Sequence, residues 1–61
     1  MEKSVYYVEQ PNMATSRDIP DFYTANVLAK AWNAFNERET IIFEQIGRNP
    51  PEPIAIWQKS A

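Results

Sequence analysis

The feature that most constrains this chain is the stretch from Pro20 to Ile46, which contains no glycine and has its only proline at the first position. Placed on a helix at about 100° per residue, many of its apolar residues fall into one arc of roughly 120°. Counted from Phe22 at zero, these residues are Leu28, Ala31, Trp32, Phe35, Ile42, Phe43 and Ile46. The pattern predicts one long amphipathic helix over residues 20–46.

A second apolar group makes the apolar side of this predicted helix unusually wide. Four residues beside the first arc extend it to roughly 200°. They are Tyr23, Val27, Ala34 and Ile41. Arg38 and Glu39 project into the arc, where a charge is costly unless it is paired or reaches solvent. Because a chain of 61 residues cannot cover so wide an apolar side, the pattern predicts a protein partner.

Whether this helix is continuous decides the predicted architecture. A single helix over residues 20–46 would be about 40 Å long, whereas a compact chain of this size has a radius of gyration of roughly 10 to 11 Å. The alternative is a break near residues 36–39, where Asn36 could cap a second helix and Glu39 has the capping-box position, giving a helical hairpin. The absence of an internal glycine or proline favours the continuous helix.

The two ends of the chain differ from the helical stretch in composition. A β-branched and aromatic cluster over Ser4 to Glu9 predicts a short strand, with a disordered arm as the alternative. The stretch from Pro11 to Asp18 predicts a connector in which Asp18 or a neighbour caps the helix. Gly47 and the prolines that follow it predict a helix stop and a stiff extended arm. A last apolar run extends from Ile54 to Trp57.

Together these expectations define a mainly α fold in a single small domain. Residues 1–19 form a strand or arm and a connector, residues 20–46 the helix, and residues 47–61 a proline-rich arm and a terminal extended segment. Homo-oligomerisation is expected to stabilise this fold, because the chain has neither disulfides nor His-containing metal sites to do so.

The amino-acid composition argues against catalysis. The chain contains no Cys and no His, so the usual covalent nucleophile and the usual general base are both missing. Only carboxylates remain as metal ligands. On a helix, Glu37 and Glu39 would lie about 200° apart and could not converge as an acid–base pair. The sequence therefore predicts a non-enzymatic protein without cofactor or metal.

Charge and hydropathy restrict the possible partners. The formal net charge is −2, and the six basic residues are spread along the chain. Nucleic-acid binding depends on clustered Lys and Arg, so nucleic acid is disfavoured as a partner. Binding would require a dimer that gathers basic residues from two chains on one face. No apolar run of about 18 residues is present, which predicts a soluble, cytoplasmic protein with no membrane partner.

These observations lead to a functional hypothesis based on association. The expected partner-binding or dimer interface consists of Leu28, Trp32, Phe35, Arg38, Glu39, Ile42, Phe43 and Ile46. The leading hypothesis is a homodimer or higher oligomer that binds another protein to regulate or inhibit it. Small acidic chains of this kind are common among accessory products of phages and mobile elements. The alternative is a small structural subunit that stabilises a larger protein assembly.

Overall fold

In the computed structural model, which describes residues 3–59, an antiparallel sheet carries one helix on one of its faces. The elements in chain order are β1 (Ser4–Gln10), β2 (Ala14–Ile19), α1 (Phe22–Asn36), β3 (Thr40–Ile46) and β4 (Glu52–Trp57). The strands lie side by side in the order β2-β1-β3-β4. The two central strands, β1 and β3, are therefore far apart in sequence.

The prediction of a mainly α fold with one helix over residues 20–46 is wrong. The helix ends at Asn36, and residues 40–46 form β3. The chain does leave helical geometry at residues 37–39, where the helical-hairpin alternative placed a break, but a strand follows and not a second helix. The cause is the β-branched run that begins at Thr40, which pairs with β1 on one side and β4 on the other.

Both ends of α1 are set by acidic residues rather than by glycine. Asp21 is the N-cap, and its carboxylate accepts a hydrogen bond of 2.8 Å from the backbone N–H of Thr24. Glu37 follows the helix with φ 57, and its N–H donates to the carbonyl of Asn33 at 2.8 Å. The predicted cap at Asp18 is thus displaced to Asp21, and the helix ends without a glycine.

The segment predicted as a connector, Pro11 to Asp18, instead supplies most of β2. A tight turn joins β1 to β2, closed by the N–H of Met13 donating to the carbonyl of Gln10 at 2.9 Å. Pro11 has the second position of this turn and Asn12, with φ 63, the third, as in type II turns. Residues 14–19 then run back along β1.

The end predicted as a proline-rich arm contains the edge strand β4. Gly47, with φ 57, turns the chain after β3, and glycine adopts this conformation without steric cost. The extended arm is short, because β4 begins at Glu52 and includes the apolar run predicted at Ile54 to Trp57. Residues 1, 2, 60 and 61, which the predicted domain included, lie outside the described residues.

The hydrophobic core lies between α1 and the face of the sheet that it covers. Its buried members are Val8, Ile19, Ala25, Ala29 and Ile42. The two alanines are the helix residues of this core, and their small side chains let α1 approach the sheet closely. Partly buried hydrophobic residues pack around this centre: Tyr6, Leu28, Trp32, Ala55 and Trp57.

A buried polar cluster fixes the end of α1 to the sheet. The amides of Gln10 and Asn36 exchange two hydrogen bonds, of 2.9 and 2.8 Å, and Gln10 Nε2 also donates to Thr40 Oγ1 at 2.9 Å. Gln10 is 2% exposed and Thr40 is fully buried. At β4, the indole N–H of Trp57 donates to Asn26 Oδ1 at 3.0 Å. These contacts orient the helix, because a buried polar group is stable only when it is paired.

Candidate interaction surface on the open face of the sheet

The sheet has a second face, opposite α1, which we call the open face. Successive side chains of a strand point to opposite faces, so the neighbours of the buried Val8 and Ile42 point away from the helix. The register of β1 and β3 places Tyr7 opposite Phe43 and Glu9 opposite Ile41. Within residues 3–59, no other helix or strand lies over this face. Its apolar residues are Val5, Tyr7, Ile41, Phe43, Ile54 and Ile56.

The open face is a contiguous apolar surface. The four apolar residues on the central strands are half-buried by their neighbours in the sheet. On β4, Ile54 is 43% exposed and Ile56 is 51% exposed. Continuous apolar surfaces of this kind, bordered by polar residues, mark interaction sites in folded proteins.

A β-bulge brings a positive charge to the border of the open face. Because the register shifts between Tyr6 and Val8, the two residues Arg17 and Asp18 of β2 stand opposite Tyr7 alone. Asp18 adopts φ 57 at this bulge. The guanidinium carbon of Arg17 lies 5.7 Å from the centroid of the Tyr7 ring, within the range of a cation–π interaction.

Polar contacts hold the Tyr7 side chain in place on the open face. Its hydroxyl donates to Gln45 Oε1 at 2.6 Å. A shallow depression beside the ring is lined by Tyr7, Glu9, Thr15, Arg17, Phe43 and Pro51. This depression contains one acidic and one basic side chain, so the open face carries both signs of charge.

The two edges of the sheet are poorly suited to adding a strand from another chain. Strand β2 is bulged at Arg17 and Asp18 and carries their charges along its edge. Strand β4 contains Pro53, which has no N–H to donate, and its register shifts beside Ile42 and Phe43. Bulges, charges and proline on edge strands oppose pairing with further strands. The faces of the molecule are therefore better candidates for binding than its edges.

A second apolar surface lies on the outward side of α1. At about 100° per residue, four exposed residues fall within an arc of about 80° on the side away from the core. We call them the helix stripe: Tyr23, Val27, Ala31 and Ala34. Tyr23 is 77% exposed and Val27 is 50% exposed. Phe35, which is 87% exposed, lies beside the stripe near the end of the helix.

The structure distributes the eight predicted interface residues over several regions. Leu28 and Trp32 pack against the core, and Ile42 is fully buried. Arg38 and Glu39 are exposed in the connection between α1 and β3. The other three are Phe35 beside the helix stripe, Phe43 on the open face, and Ile46, 42% exposed, at the end of β3. No single surface therefore brings them together.

Sequence reasoning named only Phe43 of the open face as an interface candidate, and Tyr7 and Arg17 illustrate why the others were missed. Tyr7 lay in a segment predicted as a strand, but the side to which it points follows only from the pairing of β1 with β3. Arg17 lay in a segment predicted as a connector. The Pro11–Asn12 pair was the available signal, because proline followed by a residue that tolerates positive φ favours a turn between two strands.

Apart from these two surfaces, the described residues show few features that indicate a function. Among residues 3–59, no group of three or more Asp or Glu side chains is placed to hold a metal ion. On the covered face, the hydroxyl of Tyr6 donates to Glu44 Oε2 at 3.2 Å. Partial burial of the phenol, together with this hydrogen bond and the charge of Glu44, raises the pKa of Tyr6 above its ordinary value. In the described chain, no helix has the length and apolar character required to cross a membrane.

Comparison with known proteins identifies no relative of the chain. No protein-family model, no curated protein sequence and no solved structure matches the chain. The open face and the helix stripe are therefore the physical basis for a functional proposal.

Proposed function

We propose that this protein is a non-enzymatic protein-binding module that works as a homodimer, with the open faces of two copies packed together. The observation that carries the proposal is the uncovered apolar centre of the sheet, where Tyr7 and Phe43 lie side by side on the central strands. Two sheets stacked about 10 Å apart are a common way to cover such a surface. The dimer has four layers, with the two α1 helices on the outside.

The area of the open face suits a modest dimer interface. Strands of six or seven residues, at about 3.4 Å per residue and 4.8 Å between strands, cover roughly 400 Å² in projection per copy. Two copies bury about 800 Å² in projection and more with side-chain relief, which approaches the lower end of specific interfaces, about 1,200 Å². We therefore expect dissociation in the micromolar range rather than a permanent dimer.

The charges of the open face are compatible with self-association. Glu9 and Arg17 both line the depression beside the Tyr7 ring. A twofold axis through the face can place Glu9 of each copy near Arg17 of the other, so that opposite charges meet. A second copy is therefore an electrostatically suitable occupant.

We further propose that the dimer is a cytoplasmic regulator or inhibitor that acts by binding another protein. The support is the helix stripe, which stays exposed on the outside of the dimer. A stabilising subunit of a larger assembly is the alternative function. Such a subunit would be poorly soluble when produced alone, because its helix stripe would be covered only in the assembly.

The dimer is tested by size-exclusion chromatography with light scattering, on the wild type and two matched variants. The Phe43→Glu variant places a charge in the proposed interface and is expected to have the monomer mass of 7.1 kDa. The Tyr23→Glu variant makes the same kind of change on the helix stripe and is expected to remain dimeric, at twice that mass. Circular dichroism checks that both variants keep the wild-type fold.

Two results would contradict the dimer. One is a wild-type protein that remains a monodisperse monomer of 7.1 kDa up to millimolar concentration. The other is a dimer that survives Phe43→Glu and is lost on Tyr23→Glu, which would place the interface on α1.

A second candidate function, binding of single-stranded nucleic acid, is favoured by one observation. Tyr7 and Phe43 are neighbouring aromatic residues on the central strands of a four-stranded sheet, an arrangement on which bases can stack. The net charge of −2 opposes this function. Fluorescence anisotropy with labelled single-stranded oligonucleotides distinguishes the two: salt-sensitive binding that is lost on Tyr7→Ala would favour nucleic acid over dimerisation.

A further inference from the structure

The helix stripe combines apolar character with a single sign of charge. In the sequence of α1, Phe22–Asn36, Lys30 is the only charged residue, and no acidic residue occurs within the helix. At about 100° per residue, Lys30 lies about 20° beyond Tyr23 at the border of the stripe. A helix surface with one lysine at the edge of an apolar stripe is electrostatically complementary to a surface that carries a carboxylate.

A second copy of α1 does not supply that carboxylate. If two copies of α1 paired antiparallel with full overlap, the two Lys30 side chains would come within about one helical turn of each other. Like charges at such a position oppose association. The helix stripe therefore differs from the open face, which offers both Glu9 and Arg17 to a second copy.

The shape of the stripe suits a helix. Ala31 and Ala34 are small and let a partner backbone approach, whereas Tyr23 and Val27 form a ridge in the first half of α1. Side-chain ridges of one helix pack into the grooves of another at axis separations of about 8 to 10 Å. The 15 residues of α1 give a contact length of about 22 Å, enough for four turns of a partner helix.

We propose that the helix stripe docks an amphipathic α-helix of a partner protein, with an aspartate or glutamate of that helix placed against Lys30. This inference rests on the proposed function as a protein-binding module, but it uses the side of the molecule opposite the dimer interface. Because the layers of a stacked dimer are about 10 Å apart, the two α1 axes lie about 30 Å apart on its two outer surfaces. The dimer then binds two partner helices independently.

The proposal is tested by selecting helices from a yeast-displayed library, randomised on one face and equal in length to α1, against the purified protein. The expected winners have an apolar face with Asp or Glu at its border. Their affinity is then measured by biolayer interferometry. We expect Lys30→Glu to weaken binding by about tenfold or more, because it replaces attraction by repulsion. Lys59→Glu makes the same charge change at an exposed site outside α1 and is expected to leave the affinity unchanged.

A third variant separates this inference from the dimer. Phe43→Glu monomerises the protein if the open face is the dimer interface, and it is expected to leave the affinity of each selected helix unchanged. If the wild type is monomeric but the selected helices depend on Lys30, the dimer proposal fails and the docking site stands.

Three results would overturn the docking site. The first is recovery of no helix, or only of basic or uncharged helices that bind the Lys30→Glu variant equally well. The second is loss of binding on Phe43→Glu while Tyr23→Glu binds normally, which would move the site to the open face. The third is binding to vesicles of anionic phospholipid that is lost on Tyr23→Glu, without recovery of an acidic helix, which would make the stripe a membrane-surface element.

Discussion

The two faces of the sheet are built from the same strands, yet only one of them is covered by the helix. On the covered face, Val8 and Ile42 pack against two alanines of α1, and the polar groups around them are paired. On the open face, the larger Tyr7 and Phe43 have only their neighbours in the sheet. One helix of 15 residues can cover only one side of the sheet. The difference indicates that the covered face maintains the fold, whereas the open face is available for association.

Three pairs of sequence neighbours can test this division, because each pair has one residue on each face. They are Ile41 and Ile42, Glu9 and Gln10, and Tyr6 and Tyr7. In each pair the covered-face substitution is expected to lower the stability of the monomer, and the open-face substitution to act mainly on association.

The largest effect is expected for Ile42→Ala. Ile42 is fully buried, and truncating such a residue costs about 2 to 5 kcal/mol. A domain of this length has a total unfolding free energy of roughly 3 to 9 kcal/mol, so the variant is expected to be marginally stable or unfolded. Urea denaturation followed by circular dichroism measures the loss.

The matched change, Ile41→Ala, removes the same atoms one residue away. In the monomeric Phe43→Glu background we expect it to cost less than about 1 kcal/mol, because Ile41 is only half-buried there. In the wild-type background it is expected to raise the dimer dissociation constant. Equal losses of monomer stability for Ile41→Ala and Ile42→Ala would break the comparison between the two faces.

An intermediate effect is expected for Gln10→Ala. The change removes the amide pair with Asn36 and the bond to Thr40, and buried groups that lose their partners cost about 1 to 3 kcal/mol. Each kcal/mol lowers the melting temperature by about 4 to 8 °C in a domain of this size. Glu9→Ala, on the open face, is expected to change monomer stability by less than about 0.5 kcal/mol. A melting temperature unaffected by Gln10→Ala would mean that the polar cluster does not hold α1 in place.

The smallest effect concerns Tyr6 and is a dependence on pH. Its raised pKa means that the folded state holds the phenol proton more tightly than the unfolded state. The resulting stabilisation is complete below the unfolded pKa of about 10 and is lost as pH rises through the folded pKa. The stability advantage of the wild type over Tyr6→Phe is therefore expected to shrink in alkaline solution, as measured by urea denaturation across that range. An advantage that grows with pH would have the wrong sign.

Tyr7→Phe is the matched variant on the open face. It removes a hydroxyl that donates to Gln45, within the proposed dimer interface. Its effect is expected on the dimer dissociation constant, measured by sedimentation equilibrium at neutral pH. A stability loss in the monomer larger than that of Tyr6→Phe would show that Tyr7 serves the fold instead.

The predicted apolar arc did not identify the buried side of α1: Ala31 and Phe35 of the arc are exposed, whereas the buried Ala25 and Ala29 were not among its residues. Tyr23, Val27 and Ala34, three of the four residues that widened the arc, are also exposed on α1. The fourth, Ile41, lies on the open face. The helix over residues 20–46 was wrong because a run of consecutive apolar residues fits a strand as well as a helix. The β-branched residues Thr40, Ile41 and Ile42 were the signal that favoured a strand.

Two other features of the fold could not be predicted from the local sequence pattern. Strand β2 has Ile19 as its only buried residue, so an edge strand formed with almost no apolar signature in its sequence. The open face depends on register, since shifting a strand by one residue exchanges its two faces. Tyr7 and Phe43 become neighbours only through pairing between segments separated by the whole of α1.

The position of β1 in the sheet also has a consequence for how the molecule folds. β1 comes first in the described chain but lies in the middle of the sheet. Tyr6 of β1 donates a hydrogen bond to Glu44 of β3, which is 38 residues away in the sequence. The β1–β2 hairpin can form locally within microseconds, whereas pairing of β1 with β3 requires closure of a long loop that contains α1. That closure is the slow step expected from a high contact order. Until it occurs, one edge of β1 is unpaired, and an unpaired strand edge can pair with another chain.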